Sequence, residues 1–218
     1  RDARFGLALG SKAGQVVLVR PQGAELPEVC VAAQTHRNDV TALAFGPQGR
    51  QLASAGRDRE IMVWETDRRG MPDADPPPEG LRLTRQLTGS EAWPLCLAFS
   101  QSGTRLISGG MDDGLYLWDI TEAAAKPMLA TAFEHHGWIV DAPWAPDDTA
   151  IAAASWDNTV GVYDAQNLEL QHRLDCHKDY VSRVLFLPDS AHLLSASYDE
   201  HIGVWDWQEA RLAHYLHA

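Results

Sequence analysis

The residue types of a hydrolytic triad occur together more than once in this sequence. Two sets keep identical offsets: His36, Ser54 and Asp58, and His177, Ser195 and Asp199. A serine beside a histidine that is oriented by an aspartate can act as a nucleophile in acyl transfer. An active site normally occurs once, however, and the GxSxG turn that presents many nucleophilic serines is absent from the sequence. The sequence therefore predicts structural roles for these residues and no enzyme activity.

An internal repeat surrounds these polar sets. In each unit an aromatic residue precedes an aspartate by 13 residues and a second aromatic residue by 19 residues. The units contain, in that order, Phe45, Asp58 and Trp64; Phe99, Asp112 and Trp118; Trp144, Asp157 and Tyr163; and Phe186, Asp199 and Trp205. Two internal distances kept constant in four copies indicate a repeat architecture.

Each unit has the pattern of short β-strands. In the second unit, residues 95–99 are an apolar inner run, 105–109 form a second strand, and 115–118 alternate as a third strand. A weaker outer strand is expected near 128–133. Turn residues separate the strands, and Asp113-Gly114 predicts a tight hairpin. We therefore predict an all-β chain built from antiparallel sheets of four strands each.

These motifs resemble WD40 repeats, which build β-propellers. The dipeptides Trp118-Asp119 and Trp205-Asp206 end two of the units, and Trp64-Glu65 and Tyr163-Asp164 are near matches. The resemblance covers about residues 36–217 and implies a single WD40 β-propeller domain of four-stranded antiparallel blades. The expected blades are a partial one at 1–35 that lacks its first strand, and full ones at 36–88, 89–133, 134–174 and 175–218.

Four full blades and one partial blade fall short of the seven that WD40 proteins most often have. Three arrangements remain open: further sequence completes the ring, another chain supplies strands, or the ring closes with five blades. Propellers of four to eight blades are known. We favour a fragment of a larger, seven-bladed ring.

The resemblance also implies a hydrogen-bond network within each blade. Its members by offset are His36, Ser54, Asp58 and Trp64; Ser108, Asp112 and Trp118; His135 and Asp157; and His177, Ser195, Asp199 and Trp205. We expect each aspartate to accept from the histidine and from backbone N–H groups of its turn, and each histidine to accept from the serine hydroxyl and the indole N–H. Ser90 replaces the histidine in the second full blade and Ala153 replaces the serine in the third. We therefore expect those two blades to be looser.

Aromatic residues gather at two positions of the repeat. The residue before the inner strand and the residue before the hairpin aspartate are expected on one face, around the mouth of the channel. In chain order these positions hold Asp39, Arg57, Trp93, Met111, Trp138, Trp156, Tyr180 and Tyr198. Aromatic residues, methionine and arginine are enriched at protein-binding hot spots. We predict a partner-binding face here, and packing of these rings against adjacent blades is the alternative.

Residues 67–80 form a proline-rich insertion between the third and fourth strands of the first full blade. The run Pro76-Pro77-Pro78 favours an extended polyproline conformation. A solvated loop is the favoured interpretation, and a ligand for a proline-recognising domain is the alternative.

Charge and composition narrow the function further. The net charge of −12 disfavours nucleic acid and anionic membranes as partners. Three cysteines without a CxxC pair predict neither a disulfide framework nor a metal site, and no cofactor is expected.

We predict a non-catalytic protein-interaction scaffold, or a sensor and regulatory domain of a larger protein, located in the cytoplasm. Its partner would be another protein or a neighbouring domain of the same polypeptide. The alternative is an accessory propeller of an enzyme whose catalytic domain lies outside this chain.

Overall fold

The computed structural model describes residues 7–20, 28–31, 36–66, 81–121 and 128–217. These residues form β-strands and one short 3-10 helix, Pro47–Gly49. None of their helices has the length and apolar character needed to cross a membrane. The predicted proline-rich insertion at 67–80 lies outside the described residues.

The strands form successive antiparallel sheets in which neighbours along the chain are neighbours in the sheet. The N-terminal sheet contains β1 (Leu7–Gly10), β2 (Val16–Arg20) and β3 (Glu28–Val31). The first and second sheets contain β4 (Val40–Phe45), β5 (Gln51–Gly56), β6 (Ile61–Glu65) and β7 (Arg82–Leu87), then β8 (Pro94–Phe99), β9 (Arg105–Gly110), β10 (Leu115–Asp119) and β11 (Met128–Ala132).

The third and fourth sheets repeat this order. They contain β12 (Ile139–Asp141), β13 (Ala150–Ser155), β14 (Thr159–Asp164) and β15 (Leu170–Asp175), then β16 (Val181–Phe186), β17 (His192–Ser197), β18 (His201–Asp206) and β19 (Arg211–His217). The predicted all-β class with four-stranded antiparallel sheets is confirmed. Asp175, which was predicted to begin the last unit, is the final residue of β15.

The hairpin between the second and third strands repeats one backbone geometry. The residue after the repeat aspartate has a positive φ in all four sheets: 66° at Arg59, 62° at Asp113, 73° at Asn158 and 65° at Glu200. Asparagine and aspartate adopt this left-handed region at little cost, whereas arginine and glutamate adopt it less readily. In the predicted Asp113-Gly114 hairpin it is therefore the aspartate that supplies the left-handed turn.

Each sheet packs against the next one along the chain, and the apolar core lies between them. The second strands of the first three sheets are buried along most of their length. Gly109 on β9 shows how closely the sheets approach, because a Cβ at this position would lie 2.5 Å from Cγ2 of Ile139 on β12. Burial of this apolar surface is the main term that holds the sheets together.

The two terminal sheets each expose an apolar face. Leu7 and Val29 of the N-terminal sheet are 61% and 59% exposed, and Leu185 and Leu216 of the fourth sheet are 47% and 51% exposed. Strand β17 is only half-buried, whereas its counterpart β13 is buried throughout. Exposed apolar faces of this kind usually pack against another surface. The seven-bladed ring stays a prediction.

Candidate partner-binding face and the hydrogen-bond networks beneath it

A relay of hydrogen bonds crosses the first sheet from its third strand to the loop before its first strand. The indole Nε1 of Trp64 donates to Ser54 Oγ at 2.9 Å, and Ser54 Oγ lies 2.8 Å from His36 Nε2. His36 Nδ1 lies 3.0 Å from Asp58 Oδ1. With Nδ1–H donating to the carboxylate, Nε2 accepts from the serine hydroxyl, and every member of the relay has a partner.

The fourth sheet repeats this relay with one addition. Trp205 Nε1 donates to Ser195 Oγ at 2.9 Å, and Ser195 Oγ lies 2.7 Å from His177 Nε2. Asp199 Oδ2 lies 3.1 Å from His177 Nδ1 and accepts from the hydroxyl of Tyr215 at 2.6 Å. Burial by itself raises the pKa of Asp199, but hydrogen bonds from Tyr215, a backbone N–H and His177 outweigh it and hold that pKa below its usual range.

The acceptor of the indole N–H differs from the sequence prediction. We expected the histidine to accept from both the serine and the indole, whereas Trp64 and Trp205 both donate to the serine hydroxyl. The hydroxyl is thus an intermediate between indole and imidazole. Ser54 and Ser195 are almost fully buried, so each relay is closed to a substrate. This geometry indicates a structural role, in which the hydrogen bonds connect the strands of the sheet.

A tyrosine takes the place of the missing histidine in the second sheet. The hydroxyl of Tyr116 on β10 donates to Asp112 Oδ2 at 2.8 Å, and the N–H groups of Glu91 and Ala92 donate to the same oxygen at 3.0 and 2.9 Å. Burial and this bond to Asp112 raise the pKa of Tyr116. Tyr116 was not predicted, because offset alone does not show that a phenol on the third strand reaches the hairpin. The second sheet therefore has an alternative to the histidine.

Two buried side-chain atoms of the third sheet, His135 Nε2 and Asn158 Oδ1 in its hairpin, have no hydrogen-bond partner among the described residues. His135 Nδ1 lies 2.8 Å from Asp157 Oδ2, but His135 Nε2 is buried and makes no hydrogen bond with the described residues. Ala153 stands where the first and fourth sheets have the serine. Burial raises the pKa of Asp157, yet the bonds from His135 and Thr159 outweigh it and lower that pKa below its usual range.

Replacing Ala153 with serine is expected to raise the free energy of unfolding by about 1 kcal/mol, because the hydroxyl can donate to His135 Nε2. Denaturant unfolding followed by far-ultraviolet circular dichroism measures the change. Ala152 is a matched control, since it is equally buried but packs with Val160 and Val184 on the other face of β13. Ala152→Ser is expected to destabilise. A lower unfolding midpoint for Ala153→Ser than for the parent would show that the added hydroxyl does not form a stabilising hydrogen bond with His135 Nε2.

The predicted partner-binding residues are paired by the backbone within each sheet. The residue before the hairpin aspartate donates its N–H to the carbonyl of the residue before the inner strand. The pairs are Arg57 to Asp39 at 2.8 Å, Met111 to Trp93 at 3.1 Å, Trp156 to Trp138 at 3.0 Å, and Tyr198 to Tyr180 at 3.0 Å. The eight residues therefore form one such pair in each of the four sheets, and we call them the aromatic row.

Side-chain contacts join neighbouring sheets at one end of the aromatic row. Asp39 Oδ2 lies 3.5 Å from Arg57 Nη1, within the first sheet. The Arg57 guanidinium extends over the ring of Trp93 in the second sheet, 4.6 Å from its centroid. A guanidinium over an indole face is a favourable cation–π contact. Arg57 thus lies between a carboxylate and an aromatic ring.

Three stacked rings continue the aromatic row in the third and fourth sheets. The Trp138 and Trp156 centroids are 4.5 Å apart, and Trp156 stacks on Tyr180 of the next sheet at 4.9 Å. Packing of these rings against an adjacent blade was the predicted alternative, and the contact between Trp156 and Tyr180 is of this kind. Tyr180 and Tyr198 nevertheless remain 45% and 66% exposed. The row therefore packs against its neighbours and also presents rings to solvent.

The side chains of two cysteines, Cys96 and Cys176, are described in the structure. Cys96 and Cys176 are free thiols, and burial is the main cause that raises the pKa of each, to about 11 for Cys176. Across the parts of the chain that the structure describes, no three His, Cys, Asp or Glu residues are grouped as metal ligands.

Successive antiparallel sheets tied by repeated networks define a propeller-type repeat protein. The WD40 family, described as WD domain, G-beta repeat, matches residues 28–65, 81–119, 127–164 and 168–206. The chain belongs to the WD40 family, as its motifs predicted. Each matched repeat begins in the outer strand of one sheet and ends with the third strand of the next. A repeat therefore spans two sheets.

Relatives of this chain are longer proteins. A chromatin assembly factor 1 subunit FAS2 homolog of Oryza sativa subsp. japonica is 30% identical over 148 residues, which cover 66% of this chain and 29% of the relative. The 66 kDa stress protein of Physarum polycephalum is 25% identical over 161 residues, 74% of this chain and 24% of the relative. Protein HIR1 of Cryptococcus neoformans var. neoformans is 23% identical over 170 residues, 72% and 19% respectively. The chain spans less than a third of the length of these relatives.

The predicted cytoplasmic location is wrong in view of these relatives. The rice relative is named as a subunit of a chromatin assembly factor, and chromatin lies in the nucleus. The lack of a disulfide pattern does not separate a nuclear protein from a cytoplasmic one, because both compartments are reducing.

Proposed function

We propose that this chain is a non-catalytic protein-interaction scaffold that binds its partner through the aromatic row. WD40 proteins bind protein partners, and the chain belongs to that family. The observation that carries the proposal is the presence of exposed rings on a rigid row. Trp93, Tyr180 and Tyr198 are 36%, 45% and 66% exposed, although backbone hydrogen bonds hold each at a sheet terminus. Rigid aromatic side chains lose little entropy on binding, which favours them as anchors.

The absence of catalysis is part of this proposal. The serine hydroxyls that resemble nucleophiles are buried and already bonded to an indole and an imidazole. The name of the rice relative supports a role in a chromatin-associated assembly. The partner is a protein or a neighbouring domain of the same polypeptide, and nucleic acid is not the ligand of this face.

The test is capture of proteins from nuclear extract with this chain as bait. The triple variant Trp93→Ala, Trp156→Ala and Tyr198→Ala is expected to lower the recovery of the captured proteins about tenfold, since hot-spot rings carry most of the binding free energy. Quantitative mass spectrometry of the eluates measures recovery, and circular dichroism verifies that the variant stays folded.

The matched control carries Leu129→Ala and Leu212→Ala. These side chains are exposed apolar groups on the outer strands β11 and β19, away from the aromatic row. The control is expected to capture the same proteins as the parent. Equal recovery by the folded triple variant and the parent shows that the aromatic row is not the binding surface.

A further inference from the structure

The loops beside the aromatic row are strongly acidic in the second, third and fourth sheets. Residues 88–93, 111–114, 133–138, 156–158, 176–180 and 198–200 contain eight carboxylates and one ammonium group, that of Lys178. Asp112, Asp157 and Asp199 belong to the networks described above. The remaining five carboxylates are exposed or partly exposed: Glu91, Asp113, Glu134, Asp179 and Glu200. Such a surface attracts cations and repels phosphate groups.

An internal contact shows which cation this surface accommodates. The Arg57 guanidinium lies 4.6 Å from the Trp93 centroid and within 3.5 Å of an Asp39 carboxylate oxygen. A planar guanidinium can stack on a ring while its N–H groups face a carboxylate, which a compact ammonium group does less well. The first and second sheets thus contain a bound guanidinium that the chain itself supplies.

The other end of the aromatic row, around Tyr180 and Tyr198, has rings and carboxylates, and no guanidinium of the described residues lies over these two rings. Within the described residues, no cation and no other aromatic ring contacts the Tyr198 ring, and Tyr180 stacks only on Trp156. Asp179 precedes Tyr180, and Glu200 follows Tyr198 by two residues. Both carboxylates are exposed and close to the two phenol rings along the chain.

We infer that the Tyr180–Tyr198 end of the aromatic row binds the arginine side chain of a basic protein segment. The inference rests on the proposed function and specifies the chemistry of the partner. The guanidinium lies over an exposed phenol ring, as that of Arg57 lies over the Trp93 ring, and Asp179 and Glu200 balance its charge. The five exposed or partly exposed carboxylates attract the basic residues that flank this arginine.

The experiment measures the affinity of a short glycine–serine peptide that contains several arginines, by isothermal titration calorimetry at low and high salt. We expect binding that weakens as salt is added, and no binding of the matched peptide with glutamate in place of arginine. Tyr198→Ala is expected to raise the Kd about tenfold, whereas Tyr198→Phe keeps the ring and the affinity. The pair Asp179→Asn and Glu200→Gln is expected to raise the Kd and to reduce the salt dependence.

Three results overturn the inference: an unchanged Kd in Tyr198→Ala, equal affinity for the glutamate peptide, or equal affinity for a lysine peptide. The last result removes the preference for a guanidinium. Failure here is distinct from failure of the proposed function. Loss of captured proteins in the triple variant, without binding of the arginine peptide, assigns the face to a partner of different chemistry. Equal capture by parent and triple variant rejects the face itself.

Discussion

Replacing Asp199 with alanine is expected to lower the free energy of unfolding by about 3 kcal/mol. The carboxylate accepts from His177 Nδ1, from the N–H of Lys178 at 2.8 Å, from the N–H of His201 at 3.0 Å and from the Tyr215 hydroxyl. Its side chain is only 6% exposed, so water does not replace these bonds freely. Alanine leaves several donors unsatisfied at once. Urea unfolding followed by tryptophan fluorescence measures the loss.

Asp189 supplies the matched control for this prediction. It makes an equally short contact, 2.7 Å from Oδ2 to His192 Nδ1, but its side chain is 49% exposed. Surface pairs of this kind contribute little to stability. Asp189→Ala is therefore expected to shift the unfolding midpoint only slightly. Similar losses in the two variants would mean that burial of the Asp199 network is not what stabilises the fourth sheet.

Trp118→Ala is expected to cost about 4 kcal/mol, the largest effect among the substitutions considered. The ring is fully buried between the first and second sheets, where it packs with Val63 and Leu87. Its Nε1 also donates to Ser108 Oγ at 2.9 Å. Alanine therefore removes packing from two sheets and leaves a buried hydroxyl without its donor. Thermal and urea unfolding measure the change.

Two further variants separate the contributions of Trp118. Trp118→Phe keeps much of the ring but removes the N–H, so its cost is expected to be about half that of alanine. Trp93→Ala removes a tryptophan of the same size that is 36% exposed on the aromatic row, and its cost is expected to stay below about 1 kcal/mol. A Trp93→Ala variant as unstable as Trp118→Ala would assign the aromatic row to the core instead of to a binding surface.

The fold was predictable because the spacing of residues within the repeat reflects the lengths of the strands and turns. The constant distances from Phe45, Phe99, Trp144 and Phe186 to their aspartates reflect one turn and the second strand of each sheet, both of constant length. Positions inside the sheets are also set by this register, which is why the WD40 resemblance, mapped by offset, could pair His36 with Ser54. The contact between them in the structure is 2.8 Å.

Contacts that depend on side-chain reach could not be predicted in the same way. Tyr116 and Tyr215 reach their aspartates from the third and fourth strands, at offsets that differ between sheets. The indole acceptor was misassigned because the serine lies between the two rings. The stacking of Trp156 on Tyr180 depends on how one sheet is placed beside the next, and a repeat pattern within one unit carries no information about that placement.

The one-strand offset between matched repeats and sheets has a consequence for how such chains gain or lose copies. Strand β7 completes the first sheet but belongs to the repeat matched at 81–119, whose other strands form the second sheet. A recombination event that inserts or deletes one whole repeat therefore leaves every sheet with a full set of strands. The sheets at the junctions become chimeras, with an outer strand inherited from one copy and the remaining strands from another. The unit that is duplicated thus differs from the unit that folds. The backbone hydrogen bonds between β6 and β7 join strands that belong to two different repeats, so these strands must stay compatible.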